Sequence, residues 1–300
     1  MSAELGEVLV PMVTPFDDAG RVDDEAAVRL MHHLLEHGCD GLVLCGTTGE
    51  AATLDDEEQL GLIALAVEEI KPAHSRSTIV AGVGSNDTRH AVHLTERATE
   101  LGADALLSVN PYYNRPNRRG IIRHYQEIDR ATDKPIILYN IPQRTGSDMP
   151  NDLLAELAEL EHVAAVKQSN PDNLAKVDGL QIYAGNDDLF ADVLEMGEAG
   201  GILVAAHLFG EEFRRMVDEP AQRREIDGSL GDVYRDLTVA PLACSTKAAL
   251  NLIGIPVGKP RLPYVELDAD EEAVIRAMLE RHGLLRSGEP SAGLARPSAV

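Results

Sequence analysis

Eight short apolar runs, separated by longer stretches of helical periodicity, constrain this chain more than any other feature. They read "EVLVPMVTPF", "DGLVLCG", "STIVAGVG", "ADALLSVN", "PIILYNIP", "VAAVKQS", "LQIYAGN" and "GGILVAA". Each is almost continuously hydrophobic rather than alternating, which is how parallel strands covered on both faces read. Helix-like segments lie between them at 23–38, 55–70, 87–101, 118–131, 150–160, 171–177 and 188–197, with another near 210–217. Several begin with helix-start residues, such as "DDEE" after Leu54 and Asn151–Asp152 after Pro150. Eight strand–helix units over about 215 residues predict a (β/α)8 TIM barrel. A doubly wound open sheet competes, but a glycine-rich phosphate loop after the first strand would mark it, and "VTPFDDAG" stands there instead. The expected division is a catalytic barrel over 1–220, helices packed on it over 221–284, and a loose Pro-, Ser- and Gly-rich tail over 285–300.

Composition removes whole classes of function. Acidic residues number 50 against 27 basic ones, a formal net charge of −23. Such a chain repels nucleic acid and anionic membrane surfaces, so neither is an expected partner. The longest apolar stretch, around "GILVAAHLFG", is too short to cross a bilayer. The N-terminus has no basic region ahead of an apolar run, so no secretory signal is read there. Cys39, Cys45 and Cys244 are odd in number and lack metal-ligand spacing. Buried free thiols in a reducing cytoplasm are expected.

One residue stands out against this background. Lysine occurs only at Lys71, Lys134, Lys167, Lys176, Lys247 and Lys259, arginine carrying the rest of the positive charge. Yet Lys167 directly follows the apolar residues Ala164, Ala165 and Val166. Most lysines near strand ends snorkel to water. A buried one has a different use, because a desolvated lysine can lose its proton, which arginine cannot. In a barrel, catalytic groups come from the C-terminal ends of strands and the loops after them. Those places read "GTTGE" (46–50), "NPYYN" (110–114), "YNIPQRTG" (139–146), Lys167 and "AGNDD" (184–188). A neutral amine there can attack a ketone to form a Schiff base, and a phenol held nearby can relay the protons.

These five motifs, in this order on the barrel loops, resemble the pyruvate-dependent class I aldolase family of dihydrodipicolinate synthase and N-acetylneuraminate lyase, from about residue 7 to 284. The resemblance implies that Lys167 forms the Schiff base with pyruvate. It implies a proton relay of Tyr139, Thr47 and Tyr113, and a pyruvate carboxylate held by Thr48 with Thr47. Gly185 and Ile202 line the pocket through backbone groups. In the synthase branch of that family the tyrosine matching Tyr113 reaches into the site of a neighbouring subunit, so the resemblance implies a homodimer or homotetramer, with Tyr112 near the contact. No metal and no organic cofactor is implied, since the lysine is the electron sink.

The resemblance implies a small aldehyde as the second substrate. Arg144 in "QRTG" matches the arginine that binds the carboxylate of aspartate-4-semialdehyde in the synthase branch, and its planar fork suits that task. The implied activity is therefore condensation of pyruvate with aspartate-4-semialdehyde to 4-hydroxy-tetrahydrodipicolinate, in lysine and diaminopimelate biosynthesis. Two departures leave a 2-keto-3-deoxy sugar-acid aldolase or N-acetylneuraminate-lyase-like enzyme as the alternative. "APLACSTK" (240–247) keeps only Pro241 and Lys247 of the usual Asn-Pro-x-Pro-x-Lys stretch, and "GND" replaces Gly-Asp-Asp. Outside chemistry, the same barrel without turnover would be a keto-acid sensor. Thr47 and Thr48 also suit a helix cap. His33 and His37, one helical turn apart, are read as a solvated or packing face rather than a metal pair, and Asp187 and Asp188 as helix-start residues.

Overall fold

Parallel pairing runs in chain order from β1 to β8 and back to β1, closing a barrel, in a computed structural model that describes residues 5–285. The strands are β1 Val8–Pro11, β2 Gly41–Leu44, β3 Thr78–Gly82, β4 Ala105–Val109, β5 Ile136–Asn140, β6 Val163–Gln168, β7 Gln181–Ala184 and β8 Gly200–Ile202. The helices are α1 Asp24–Glu36, α2 Asp56–Ile70, α3 Thr88–Leu101, α4 Arg118–Asp129, α5 Pro142–Thr145, α6 Asn151–Leu157, α7 Phe190–Glu195 and α8 Ala206–Asp218. Beyond the barrel lie α9 Arg223–Ser229, α10 Gly231–Asp236, α11 Leu242–Leu252 and α12 Ala269–Arg281.

Strand alternation divides the core in two. Leu9, Val43, Val80, Leu107, Ile137, Ala165, Tyr183 and Ile202 fill the barrel interior. Val8, Leu42, Ile79, Leu106, Ile136, Val166 and Ile182 point outward into the larger core shared with the helices. Both faces are therefore apolar, which is the reason the strands lack an alternating pattern in sequence.

Helix starts follow local chemistry. Asp23 accepts from the Ala26 N–H ahead of α1, and Asp55 with Glu58 forms a capping box at α2. The 171–177 helix is not present: only Pro171–Asn173 form a single 3-10 turn. Pro171 starts that turn, and Val177 then bridges to Leu180 across a tight turn at 178–179, so the chain enters β7 without a helix. The structure adds α5 inside "YNIPQRTG", begun by Pro142 and ended by Gly146 in the left-handed conformation. The three cysteines are buried and unpaired, and burial pushes the Cys39 and Cys45 thiols up to about 12. Among the described residues, no helix is long and apolar enough to cross a membrane. The tail from residue 286 lies outside the described residues.

Candidate active site

The alternation of β6 decides where Lys167 goes. Ala165 faces the barrel interior and Val166 faces out, so Lys167 returns to the interior and is only 5 % exposed. It is the register partner of Tyr139 on β5 and of Tyr183 on β7. Its Nζ lies 4.4 Å from the centroid of the Tyr139 ring, which is itself 6 % exposed. An amine thus sits against an aromatic wall, with a phenol on the adjoining strand.

One residue further along each strand, the side chains turn outward and lock the pair. Asn140 and Gln168 are register partners, and the Asn140 amide donates to Gln168 Oε1 at 3.0 Å and to Asp148 Oδ1 at 2.9 Å. Asn140 Oδ1 accepts the Met149 N–H at 3.0 Å. Asp148 also accepts from Asn170 and Asn173. This buried amide network ties the loop after β5, which carries α5 and Arg144, to the loop after β6. Arg144 itself is exposed on α5.

The "GTTGE" loop leaves β2 through a tight turn. Cys45 and Glu50 both adopt positive φ, at 55° and 58°, conformations that side-chain-bearing residues hold only when the surroundings impose them. Gly82 makes room for this turn: a Cβ there would lie 2.2 Å from the Cys45 carbonyl oxygen. The Thr14 hydroxyl donates to the Gly49 carbonyl at 2.6 Å. Thr48 is buried and Thr47 exposed. Neither caps a helix, because Glu50 precedes the 3-10 turn Ala51–Thr53 and Asp55 caps α2.

Across the barrel, the Gly185 N–H donates to the Gln168 carbonyl at 2.8 Å. A Cβ at Gly185 would lie 2.1 Å from the Ser169 hydroxyl oxygen, so only glycine fits beside it. That hydroxyl is buried and has no hydrogen-bond partner among the described residues. Ile202 is sealed in the barrel interior beside Tyr139 and Tyr183. Asp187 and Asp188 open the 3-10 turn Asp187–Leu189 that runs into α7, as helix-start residues, and Asp187 has a further contact. Its carboxylate accepts the Ala205 N–H at the head of α8, at 3.2 Å. Burial pushes this carboxyl up to about 6, while the Ala205 N–H and the Lys167 charge pull it down. His207 joins the two ends of the barrel seam: Nε2 accepts the Val13 N–H at 3.1 Å, and Nδ1 lies 2.8 Å from the Val204 carbonyl oxygen. These contacts fix the proton on Nδ1.

Tyr113 stands apart from this group. It is 89 % exposed at φ 70°, on a turn held by Asn86, whose amide donates to the Tyr112 carbonyl at 3.2 Å. The structure therefore brings Lys167, Tyr139 and Ile202 together inside the barrel and leaves Tyr113 projecting from the chain surface.

Comparison with known proteins bears on this arrangement. The model of the Dihydrodipicolinate synthetase family matches residues 4–282. The chain belongs to that family. It is 37 % identical over 286 residues to a 4-hydroxy-tetrahydrodipicolinate synthase of Caldicellulosiruptor bescii, covering 92 % of this chain and 96 % of the relative. It is 38 % identical over 303 residues to the enzyme of that name from a Synechococcus species, covering 97 % and 98 %. Among solved structures, the Cyanidioschyzon merolae family member with lysine bound superposes with a TM-score of 0.89 at 35 % identity, covering 94 % of this chain and 99 % of that one. The Acinetobacter baumannii dihydrodipicolinate synthase, solved with pyruvate, gives 0.89 at 31 %, covering 94 % and 100 %. Family membership makes the chain a pyruvate-dependent class I lyase.

The sequence reading missed the contribution of Asn140, Asp148 and Gln168, of Asp187, and of His207. A signal existed for two of the first group: the amides Asn140 and Gln168 stand one step after Tyr139 and Lys167 on their strands. His207 had none, since its partners are 194 and 3 residues away.

Proposed function

We propose that this chain condenses pyruvate with aspartate-4-semialdehyde, as a 4-hydroxy-tetrahydrodipicolinate synthase. The observation that carries the reading is Lys167 Nζ against the Tyr139 ring on the adjoining strand, inside a closed barrel. The Lys167 amine attacks C2 of pyruvate, and the carbinolamine loses water to give a protonated imine. C3 then loses a proton, and the resulting enamine forms the new carbon–carbon bond to the aldehyde carbon. Attack of the product's own amine at C2 closes the ring and returns Lys167 to the free amine. Tyr139, with Thr47 and the Tyr113 of a second copy, moves the protons of imine formation.

Thr48 and Thr47 hold the pyruvate carboxylate, Gly185 and Ile202 border the pyruvate, and Arg144 pairs with the carboxylate of the semialdehyde. The 89 % exposure of Tyr113 supports a role outside its own chain, so the working unit in this proposal is a homodimer or homotetramer in the cytoplasm. The barrel over 1–220 carries the chemistry, and the helices of 221–284 brace it. No metal or organic cofactor enters the reaction. The test offers aspartate-4-semialdehyde, 2-keto-3-deoxygluconate and N-acetylneuraminate to one preparation and compares kcat/KM. Preference for the semialdehyde is expected. Preference for either sugar acid would move the chain to the aldolase branch, and no turnover of any would leave a keto-acid sensor.

A further inference from the structure

A histidine pair on the flank of the barrel brings two ring nitrogens together. His32 lies in α1, and His74 lies in the turn between α2 and β3. His32 Nδ1 and His74 Nε2 face each other at 3.0 Å, with the rings tilted by 49° at a centroid separation of 5.1 Å. Glu36, one helical turn after His32 on α1, brings a carboxylate oxygen into the same group, and the three ligand atoms lie within 4.8 Å of one another. Both histidines are half-buried and Glu36 is exposed.

Two imidazole nitrogens aimed at one point repel through their lone pairs unless something positive lies between them. A proton serves, and so does a metal ion. At the usual metal–nitrogen length of about 2.0–2.1 Å, tetrahedral coordination separates two nitrogens by about 3.3 Å, close to the spacing present. The backbone is already set: the His74 N–H donates to the Ile70 carbonyl at 2.8 Å, and the Ser77 N–H donates to the His74 carbonyl at 2.9 Å. Only the exposed Glu36 side chain has to swing inward to complete the group. The neighbouring pair differs. His33 and His37 stack at a centroid distance of 4.2 Å, and His37 Nδ1 is engaged with the His33 carbonyl at 2.7 Å, so that pair offers no shared ligand point.

We propose that His32, His74 and Glu36 form a binding site for a borderline divalent cation of the zinc class, with water in the fourth position. Two imidazoles and one carboxylate suit zinc, cobalt or nickel rather than magnesium or calcium, which take oxygen ligands. The strongly negative chain favours any cation. The site staples α1 to the turn entering β3, at the N-terminal ends of the strands, whereas Lys167 lies toward the C-terminal end of β6. Its effect is on stability and not on turnover.

Zinc titrated into the full chain, in competition with a chromophoric chelator, tests this. One equivalent per chain is expected, with a rise in Tm that magnesium at the same concentration does not produce. His32→Ala and His74→Ala should each weaken binding at least roughly tenfold and cancel the rise in Tm. Glu36→Gln should weaken binding as well, and because Glu36 is exposed this variant leaves no packing defect to confuse the result. His33→Ala and His37→Ala should bind as the parent does. Chelation should lower Tm while leaving kcat unchanged. The proposal is overturned if the parent takes up no zinc, if Glu36→Gln and His74→Ala bind like the parent, or if His33→Ala loses binding equally. In each of those cases the His32–His74 contact is a hydrogen bond and nothing more.

Discussion

Lys247 on α11 places its Nζ 2.6 Å from Oε1 of Glu50, the last residue of the "GTTGE" loop, and the two side chains are 1 % and 0 % exposed. The ammonium also lies 4.0 Å from the centroid of the Phe16 ring and donates to the Lys259 carbonyl at 3.2 Å. Glu50 Oε2 accepts the Arg261 N–H at 2.9 Å. At 2.6 Å between two fully buried groups, the Lys247–Glu50 contact is a charge-assisted one. A residue from the C-terminal helices therefore holds the left-handed turn that ends the proposed carboxylate loop. This is what the preserved Lys247 of "APLACSTK" does.

Removing one partner strands a buried charge. Lys247→Met should destabilise the chain by about 3–5 kcal/mol, and the double variant Glu50→Gln/Lys247→Met should cost clearly less than the two single changes added together. Chemical denaturation of the four proteins measures this. Additive effects would mean that the pair is not energetically coupled.

Pyruvate and borohydride should give one stable adduct per chain, found by mass spectrometry on the peptide spanning Lys167. Lys167→Ala should abolish it. Lys176→Ala should not, since Lys176 is 64 % exposed and pairs with Glu198. A label distributed over several lysines would remove the Schiff-base assignment.

Arg144→Ala should lower kcat/KM for the semialdehyde by roughly 10- to 100-fold, the value of one charge-assisted contact of about 1.5–3 kcal/mol. Borohydride trapping with pyruvate alone should proceed as in the parent. Unchanged semialdehyde kinetics would exclude Arg144 from recognition.

Tyr113 can be tested by mixing subunits. Tyr113→Phe and Lys167→Ala are each expected to be nearly inactive. Unfolded, combined in equal amounts and refolded, they should recover about a quarter of parental activity, because half of the dimers are mixed and each mixed dimer holds one complete site. No recovery would place Tyr113 in its own chain's site or outside the chemistry altogether.

Burial holds the imidazoles of His207 and His124 down at about 4, against 6.5 when exposed. The folded chain thus binds fewer protons than the unfolded one, so this stability is complete above pH 6.5 and is lost as pH falls toward 4. Asp187, pushed up to about 6, contributes with the opposite sign between about 6 and 3.8. The loss in stability between pH 7 and pH 5 should be smaller for His207→Gln than for the parent by on the order of 2 kcal/mol. Parallel slopes would show that His207 is not buried in neutral form.

Local chemistry was enough to determine the barrel. Eight two-face-apolar strands and the capped helices α1 to α4 follow from residue order alone, because strand alternation and N-capping depend on neighbours in the chain. The same holds for Lys167: once Ala165 faces in and Val166 faces out, period two returns the lysine to the interior. The reading failed where a segment's state depended on distant partners. Residues 171–177 carry helix-forming residues, yet they span only the short return to β7 and, after one 3-10 turn, lead into the tight turn bridged by Val177 and Leu180. Tertiary structure alone decided that the Asp187 carboxylate meets the Ala205 N–H, that Glu50 meets Lys247 across almost two hundred residues of chain, and that His32 meets His74. Each of these contacts joins groups from separate elements of the chain. Ring closure of the barrel, not sequence proximity, sets their distances.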